Sequence, residues 1–363
     1  MNNKIGNIGA ISLIITVIIA HILSNLPQTL LHSTNSATAL NIIYISIITL
    51  VICYFICKLF EKFPNSDILD ISEFLAGKSL KITLGLLYII YMMIIVSFLI
   101  RNFSESLRLI YFPNTHFSAI VLIFIVAAVI LNRFGFKAIV RCNLIIMPVV
   151  LISLLVIFFS TIDEFTIQRF FPILGNGFNE TFIIGATNIF SFGGIILLYF
   201  IKPLLNDSAN FKNISFTAII ISSIYLLLSV ISLLLVIPMI SSAESTLSIY
   251  LAAREVEFGN FFQRVDAIFI LIWMLSIFSY FSIILSYILF IFKKIFNNKH
   301  SKPMVYCFSA FIFTLSLLPR DAVQINTMSD TVYKYLSLAL VFGISFIILV
   351  LGVLKKNRVK SNE

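Results

Sequence analysis

The chain has 363 residues, of which 60% are hydrophobic and only 11% charged, with a formal net charge of +9; its mean hydropathy is +1.06. Soluble domains carry about a quarter charged residues, so this composition excludes a chain solvated mainly by water. A bilayer has to be its solvent, and no segment is left over for a sizeable soluble domain.

Apolar stretches of about twenty residues recur along the whole length, each long enough at ~1.5 Å per residue to cross a hydrocarbon core of ~30 Å. The first, near 6–31, begins just after Lys4, as the apolar part of a secretory signal would. It has no small-residue cleavage site and runs on past His21, so it is expected to be helix 1. Its SNLP sequence, Ser24 to Pro27, interrupts the apolar run. Pro27 has no N–H to give to the carbonyl of Leu23, so the helix should kink or unwind there. Helix 2, near 38–58, carries Cys53 and Cys57 one turn apart. Without histidine or further cysteine beside them they are small hydrophobes, not a zinc site or a disulfide, and Cys142 and Cys307 are the same.

A polar loop beginning at Lys62 leads to helix 3, near 82–100, with Tyr91 near its middle. Helices 4 and 5 fall near 117–132 and 143–160. Helix 6, near 182–204, contains FSFGG, Phe190 to Gly194, whose paired glycines permit a second break. Helix 7 lies near 214–240, and residues 241–264 after it are too polar to span. An amphipathic helix on the outer face, serving as a lid or a docking surface, is expected there. Helix 8 near 262–292 carries Ser276 and Tyr280, and helices 9 and 10 follow near 304–319 and 333–354. The expected fold is an all-α polytopic membrane protein of about ten transmembrane helices, one integral membrane domain over 1–363. Its halves would be two five-helix repeats, about 6–160 and 182–354, with the broken helices 1 and 6 in corresponding positions.

Charge tests this count, because lysine and arginine collect on the cytoplasmic side of a membrane protein. With the N-terminus inside, eighteen of the 25 basic residues fall on the cytoplasmic side and seven outside. The net positive charge is thus explained by topology, with the C-terminal KKNRVK favouring anionic lipid headgroups. No basic stripe interleaved with exposed aromatics is present, so nucleic acid is not an expected partner.

Broken backbone at membrane depth is tolerated only where it is buried in protein or lines a polar cavity. Two such breaks at corresponding places point to a ligand site near the midplane of an inverted-repeat transporter fold. Half-helix N-termini suit a carboxylate and half-helix C-termini an ammonium, so a zwitterionic amino acid would satisfy both. The candidate ligand-binding residues are Ser24, Asn25 and Pro27 at the first break and Phe190, Ser191, Gly193 and Gly194 at the second. Tyr91 and Ser276 would complete the walls, as would Tyr280. His21 lies close to the first break, and a neutral packing role is expected for it. The centres of the spans hold almost no ionisable residue, so proton-coupled pumping is not indicated. Neither a nucleophile paired with a base nor a phosphate-binding loop is visible; no catalytic residue, metal ligand or cofactor site is expected.

Several stretches carry a resemblance. RFFPILGNGF (Arg169 to Phe178), FSFGGIILLYFIKPLL (Phe190 to Leu205) and YLAAREVEFGNFFQRVDAIFILIWMLSIF (Tyr250 to Phe278) resemble the spore germination permease family, which supplies the B subunits of nutrient germinant receptors. The loop KFPNSDILDISEFLAGKSL (Lys62 to Leu80) and the turn FGFKAIVRCN (Phe134 to Asn143) fit the same pattern, and QRVDAIFILIW (Gln263 to Trp273) is its most specific piece. The resemblance implies an amino acid–polyamine–organocation type fold with helices 1 and 6 unwound around a small nutrient such as an amino acid. It implies residence in the spore inner membrane, in a complex with an A subunit and a lipoprotein C subunit, while the charge count with ten spans puts both termini on the cytoplasmic side. A nutrient-sensing receptor subunit is the function it favours, and a secondary amino-acid permease is the alternative.

Overall fold

The computed structural model describes residues 4–236, 265–297 and 303–362. The expected surface helix over 241–264 lies outside the described residues. Helices account for almost all of what is described: α1 (Asn7–Leu23), α2 (Leu26–Thr34), α3 (Thr38–Glu61), α4 (Ile68–Ile110), α5 (Phe117–Arg133) and α6 (Phe136–Ser160). The sixth span follows as a π-helical turn (Asn179–Ile184), a 3-10 helix (Gly185–Leu197) and the short α7 (Leu198–Ile201). Then come α8 (Phe211–Val236), α9 (Val265–Phe296), α10 (Met304–Ser316), α11 (Ala322–Leu336), a π-helical stretch (Ser337–Ile344) and α12 (Ser345–Asn362). Among the described residues seven helices are long and apolar enough to cross a membrane, and three shorter apolar ones, Asn7–Leu23, Phe117–Arg133 and Met304–Ser316, complete a set of ten spans.

The spans agree with the hydropathy pattern, but several ends do not. Helix 3 starts well before residue 82, because Asp67 caps α4: its carboxylate accepts the N–H groups of Leu69 (3.0 Å) and Asp70 (3.1 Å), and Asp70 Oδ2 accepts that of Asp67 (3.1 Å). A kink at Ala76 and Gly77, with Gly77 at φ 78°, then turns this amphipathic first section into the span. Helix 3 also continues past residue 100. Arg101, one residue past the end that hydropathy gives, is buried, paired with Glu105 at 2.7 Å and seated 3.3 Å from the centre of the Phe117 ring. The tenth span begins earlier than residue 333 because the polar α11 continues the helix outward.

The two interrupted spans form the centre of the molecule. Every residue from Leu13 to Leu23 and from Asn188 to Ile201 is buried, whereas α3, α5 and α6 turn Ile47, Ile123 and Ile145 outward, as lipid-facing helices do. Helix α1 packs on α6, α8, α9 and the sixth span. A knot of hydrogen bonds fixes it inside: Asn143 of α6 receives Thr16 (2.9 Å) and Ser279 of α9 (2.6 Å), and donates to Ser12 (3.0 Å).

Both chain ends lie at one face, called here the terminal face, and lysines lace it together. Lys4 pairs with Asp207, and Ile5 bridges to Leu205 in parallel register. Lys202 donates to the carbonyls of Phe60 and Phe63 (3.0 Å to the latter) and so caps the end of α3. Lys294 of α9 bridges Asp67 and Asp70, both at 2.6 Å. Lys355 donates to the carbonyls of Phe74 (2.9 Å) and Leu75 (3.0 Å).

Candidate functional site

The first break falls at Ser24 and Asn25. Ser24 leaves helical geometry at φ −89°, ψ −126°, while its N–H still reaches the carbonyl of His21 at 3.1 Å. Pro27 stands in the first turn of α2, the one part of a helix that does not need its missing N–H. The freed polar groups are met by side chains. Ser24 Oγ donates to the carbonyl of Ala20 (3.0 Å) and accepts Trp273 Nε1 (3.4 Å). Asn25 Nδ2 and Asn102 Nδ2 both donate to Asn326 Oδ1, at 2.7 and 2.6 Å, joining α2, α4 and α11 at one atom. One turn further out Thr29 donates to Asp330 Oδ2 at 2.8 Å.

The second break differs from a simple glycine unwinding. The sixth span passes from π-helical to 3-10 geometry at Gly185, and Phe192 (φ −92°, ψ 20°), not a glycine, is the non-helical residue. The glycines set distance. A Cβ on Gly194 would stand 2.7 Å from Ile18 Cγ1 and 3.3 Å from the backbone nitrogen of Ile18, so only glycine lets the two interrupted spans touch. A Cβ on Gly193 would meet the Tyr333 hydroxyl at 2.8 Å and Ser337 Oγ at 2.9 Å.

Between the two breaks is a cavity lined by Val17, His21, Tyr91, Gly193, Gly194, Tyr280 and Tyr333, closed by Met92, Ile95, Ile196 and Ile284. It has room for roughly one water molecule, so anything larger requires the walls to separate. His21 lies flat on Tyr333 (centroids 4.1 Å apart, 6° between planes), and Tyr280 meets it edge-on at 5.3 Å. Tyr91 is held by a 2.9 Å hydrogen bond to Ser337. The Tyr333 hydroxyl has no side-chain partner and faces the backbone of Gly193.

Of the residues singled out in the sequence as ligand-binding or wall residues, Tyr91, Gly193, Gly194 and Tyr280 come together in this cavity. Ser24 and Asn25 stand beside it in the amide cluster at the break, and Pro27 is buried behind them. Phe190 backs the wall, edge-on to Tyr333 at 5.6 Å. Ser191 turns to its own helix, donating to the carbonyl of Asn188 at 2.7 Å. Ser276 lines a separate small cavity with Ile15, Thr16, Ile146 and Val150, and its buried hydroxyl has no partner there. Asn102, Asn326, Tyr333 and Ser337 are not among the candidates read from the sequence. A signal for the last three was present: Asn326, Asp330, Tyr333 and Ser337 recur every three or four residues, one face of a helix.

The fold is that of known transporters. A Na+-coupled sialic acid symporter, in a substrate-bound outward-open state, superposes with a TM-score of 0.71 over 97% of this chain and 79% of its own, at 12% identity. MhsT in complex with L-phenylalanine gives 0.67 over 97% and 100%, at 13% identity. At the level of sequence, two Bacillus subtilis (strain 168) proteins align over most of their length. Spore germination protein YndE is 22% identical over 98% of both chains, and spore germination protein A2 is 24% identical over 96% of both. Residues 4–325 match the family described as spore germination protein. With ten spans, two interrupted helices at the centre and a family match across most of its length, the chain belongs to the spore germination protein family, as a multi-pass, permease-like membrane protein.

Proposed function

We infer that this chain is the nutrient-sensing membrane subunit of a spore germinant receptor, binding a small nutrient, an amino acid, between its two interrupted spans. The observation that carries this is the narrow cavity between them. Backbone breaks at membrane depth are tolerated only when buried or facing a cavity, and here residues next to each break, His21 before the first and Gly193 and Gly194 after the second, line the same one. A ligand that fits only when the walls part favours the parted arrangement. Each tenfold change in the ratio of arrangements requires ~1.4 kcal/mol of differential affinity. In this reading the change passes to A and C subunits in the spore inner membrane, with the lysine-rich terminal face cytoplasmic, as the excess of basic residues on that side supports.

The test is nutrient-triggered dipicolinate release from spores lacking this chain, across a panel of amino acids and sugars, with vegetative amino-acid uptake recorded alongside. Loss of response to one nutrient class with normal uptake is the expected result. Unchanged germination with impaired uptake would instead favour a secondary amino-acid permease, a role supported by the substrate-bound transporters that share the fold. Uptake of labelled amino acid into proteoliposomes separates the two.

A further inference from the structure

The cavity wall contains one imidazole. His21 ends α1, beside the break, and its ring is packed against Tyr333 and Tyr280. Its ring makes stacking contacts but no hydrogen bond with another described side chain, so its N–H faces the cavity it lines. Imidazole always carries at least one donor, and a second when protonated, and a donor left unpaired in a closed space favours any acceptor that reaches it.

Among the described residues that line the cavity with this ring, none is a carboxylate, lysine or arginine. From α4 it meets the phenol of Tyr91, from α9 that of Tyr280, from α11 that of Tyr333, and from the sixth span only Gly193, Gly194 and Ile196. Helix α6 is apolar at this depth, and α8 brings Tyr225, whose hydroxyl is donated to the carbonyl of Leu151 at 3.1 Å. Asp330, one turn from Tyr333 on α11, is engaged by Thr29. An imidazole in such a place has no counter-ion among the lining residues, and an entering carboxylate would supply one.

We propose that His21 is the residue that receives the carboxylate of the nutrient, and that it takes up one proton as it does so. This rests on the nutrient-binding role inferred above and narrows it to small solutes bearing a carboxylate. The neutral ring donates its N–H to one carboxylate oxygen. Its other nitrogen accepts a proton from water, giving an imidazolium–carboxylate pair of no net charge; no covalent bond between heavy atoms changes. Binding is then linked to pH, strengthening by up to about tenfold for each unit of acidification while the free ring stays neutral.

The experiment uses the full chain in lipid nanodiscs. Binding of glycine, L-alanine and L-phenylalanine, and of their amides, is measured between pH 8 and pH 6, with proton uptake followed in weak buffer. At least one amino acid is expected to bind more tightly toward acid with uptake of about one proton, while its amide binds weakly and without that slope. His21→Gln, which keeps a donor but cannot titrate, should bind with a flat pH profile. His21→Phe, which keeps the ring stack and loses the donor, should lose at least tenfold in affinity. Absence of proton uptake by the unaltered chain, or the same pH slope in His21→Gln, overturns the proposal and leaves nutrient binding standing. If none of the amino acids binds the unaltered chain, both fall together.

Discussion

Arg101 shows how a single side chain decides where a membrane helix ends. Its guanidinium is 1% exposed, held by Glu105 at 2.7 Å and the face of Phe117 at 3.3 Å, and Glu105 is shared with Arg108 at 2.9 Å. A charge removed from water this fully is tolerable only with its partner present. Glu105→Ala is therefore expected to destabilise the folded chain by about 3–5 kcal/mol, since it strands the Arg101 charge. Replacing both groups, as Arg101→Met with Glu105→Leu, should restore most of that loss, because a buried pair contributes little against well-packed hydrophobes. Thermal unfolding of the detergent-solubilised variants checks this: a double variant no better than Glu105→Ala would mean that the arginine is needed for something other than neutralising its partner.

Where elements join, a charged contact sets the geometry and carries a pH dependence. Lys294 bridges α9 to the cap of α4, and burial pushes the Asp67 carboxyl up to about 6 from an ordinary 3.8, against the opposing pull of Lys294. The folded state thus binds this proton more readily than the unfolded chain does. Its contribution to stability is fully present below about 3.8 and is lost as the pH rises through about 6. Unfolding midpoints followed from pH 4 to pH 7 should fall toward neutrality from this group, and Asp67→Asn, which keeps a capping side chain, should flatten that part of the curve. An unchanged slope would assign the pH dependence elsewhere. The same junction marks the limit of what the sequence discloses. Ten apolar runs and the break at Pro27 are visible because hydropathy and a missing N–H are local properties. The cap at Asp67 and the early start of α11 were hidden because both segments are polar, and hydropathy ends a helix wherever polarity begins. Tyr91 and the two glycines could be placed near a site from span position alone. For Asn326 and Tyr333 the helical spacing marks a shared face but not what it meets, and Asn102 carries no such mark, since their meeting depends on which faces of α4 and α11 turn toward α1 and α2, a tertiary fact.

At the scale of the whole molecule, the cavity is too narrow for an amino acid while the terminal face is tied together, and the two conditions belong to one arrangement. The ties run from α9 to α4, from α12 to the first section of α4, from the N-terminus to the loop after the sixth span, and from that span to the end of α3. The last is the most telling, because Lys202 sits at the end of the very span whose break borders the cavity. A shift of the sixth span would draw its ammonium away from the carbonyls of Phe60 and Phe63. Cys53 and Cys57, both buried on α3 within two turns of that cap, serve as built-in reporters, and the exposed Cys307 on α10 serves as a reference. Lys202→Met keeps the apolar stem and removes the donor, leaving the α3 end uncapped. Charge-assisted hydrogen bonds are worth about 1.5–3 kcal/mol, so local opening should become about tenfold more frequent or greater. Maleimide labelling of Cys57 is expected to accelerate by that factor while Cys307 labels at an unchanged rate. If nutrient binding moves the sixth span, adding an effective amino acid to the unaltered chain should raise Cys57 labelling in the same direction; protection instead of exposure would mean that binding tightens this face.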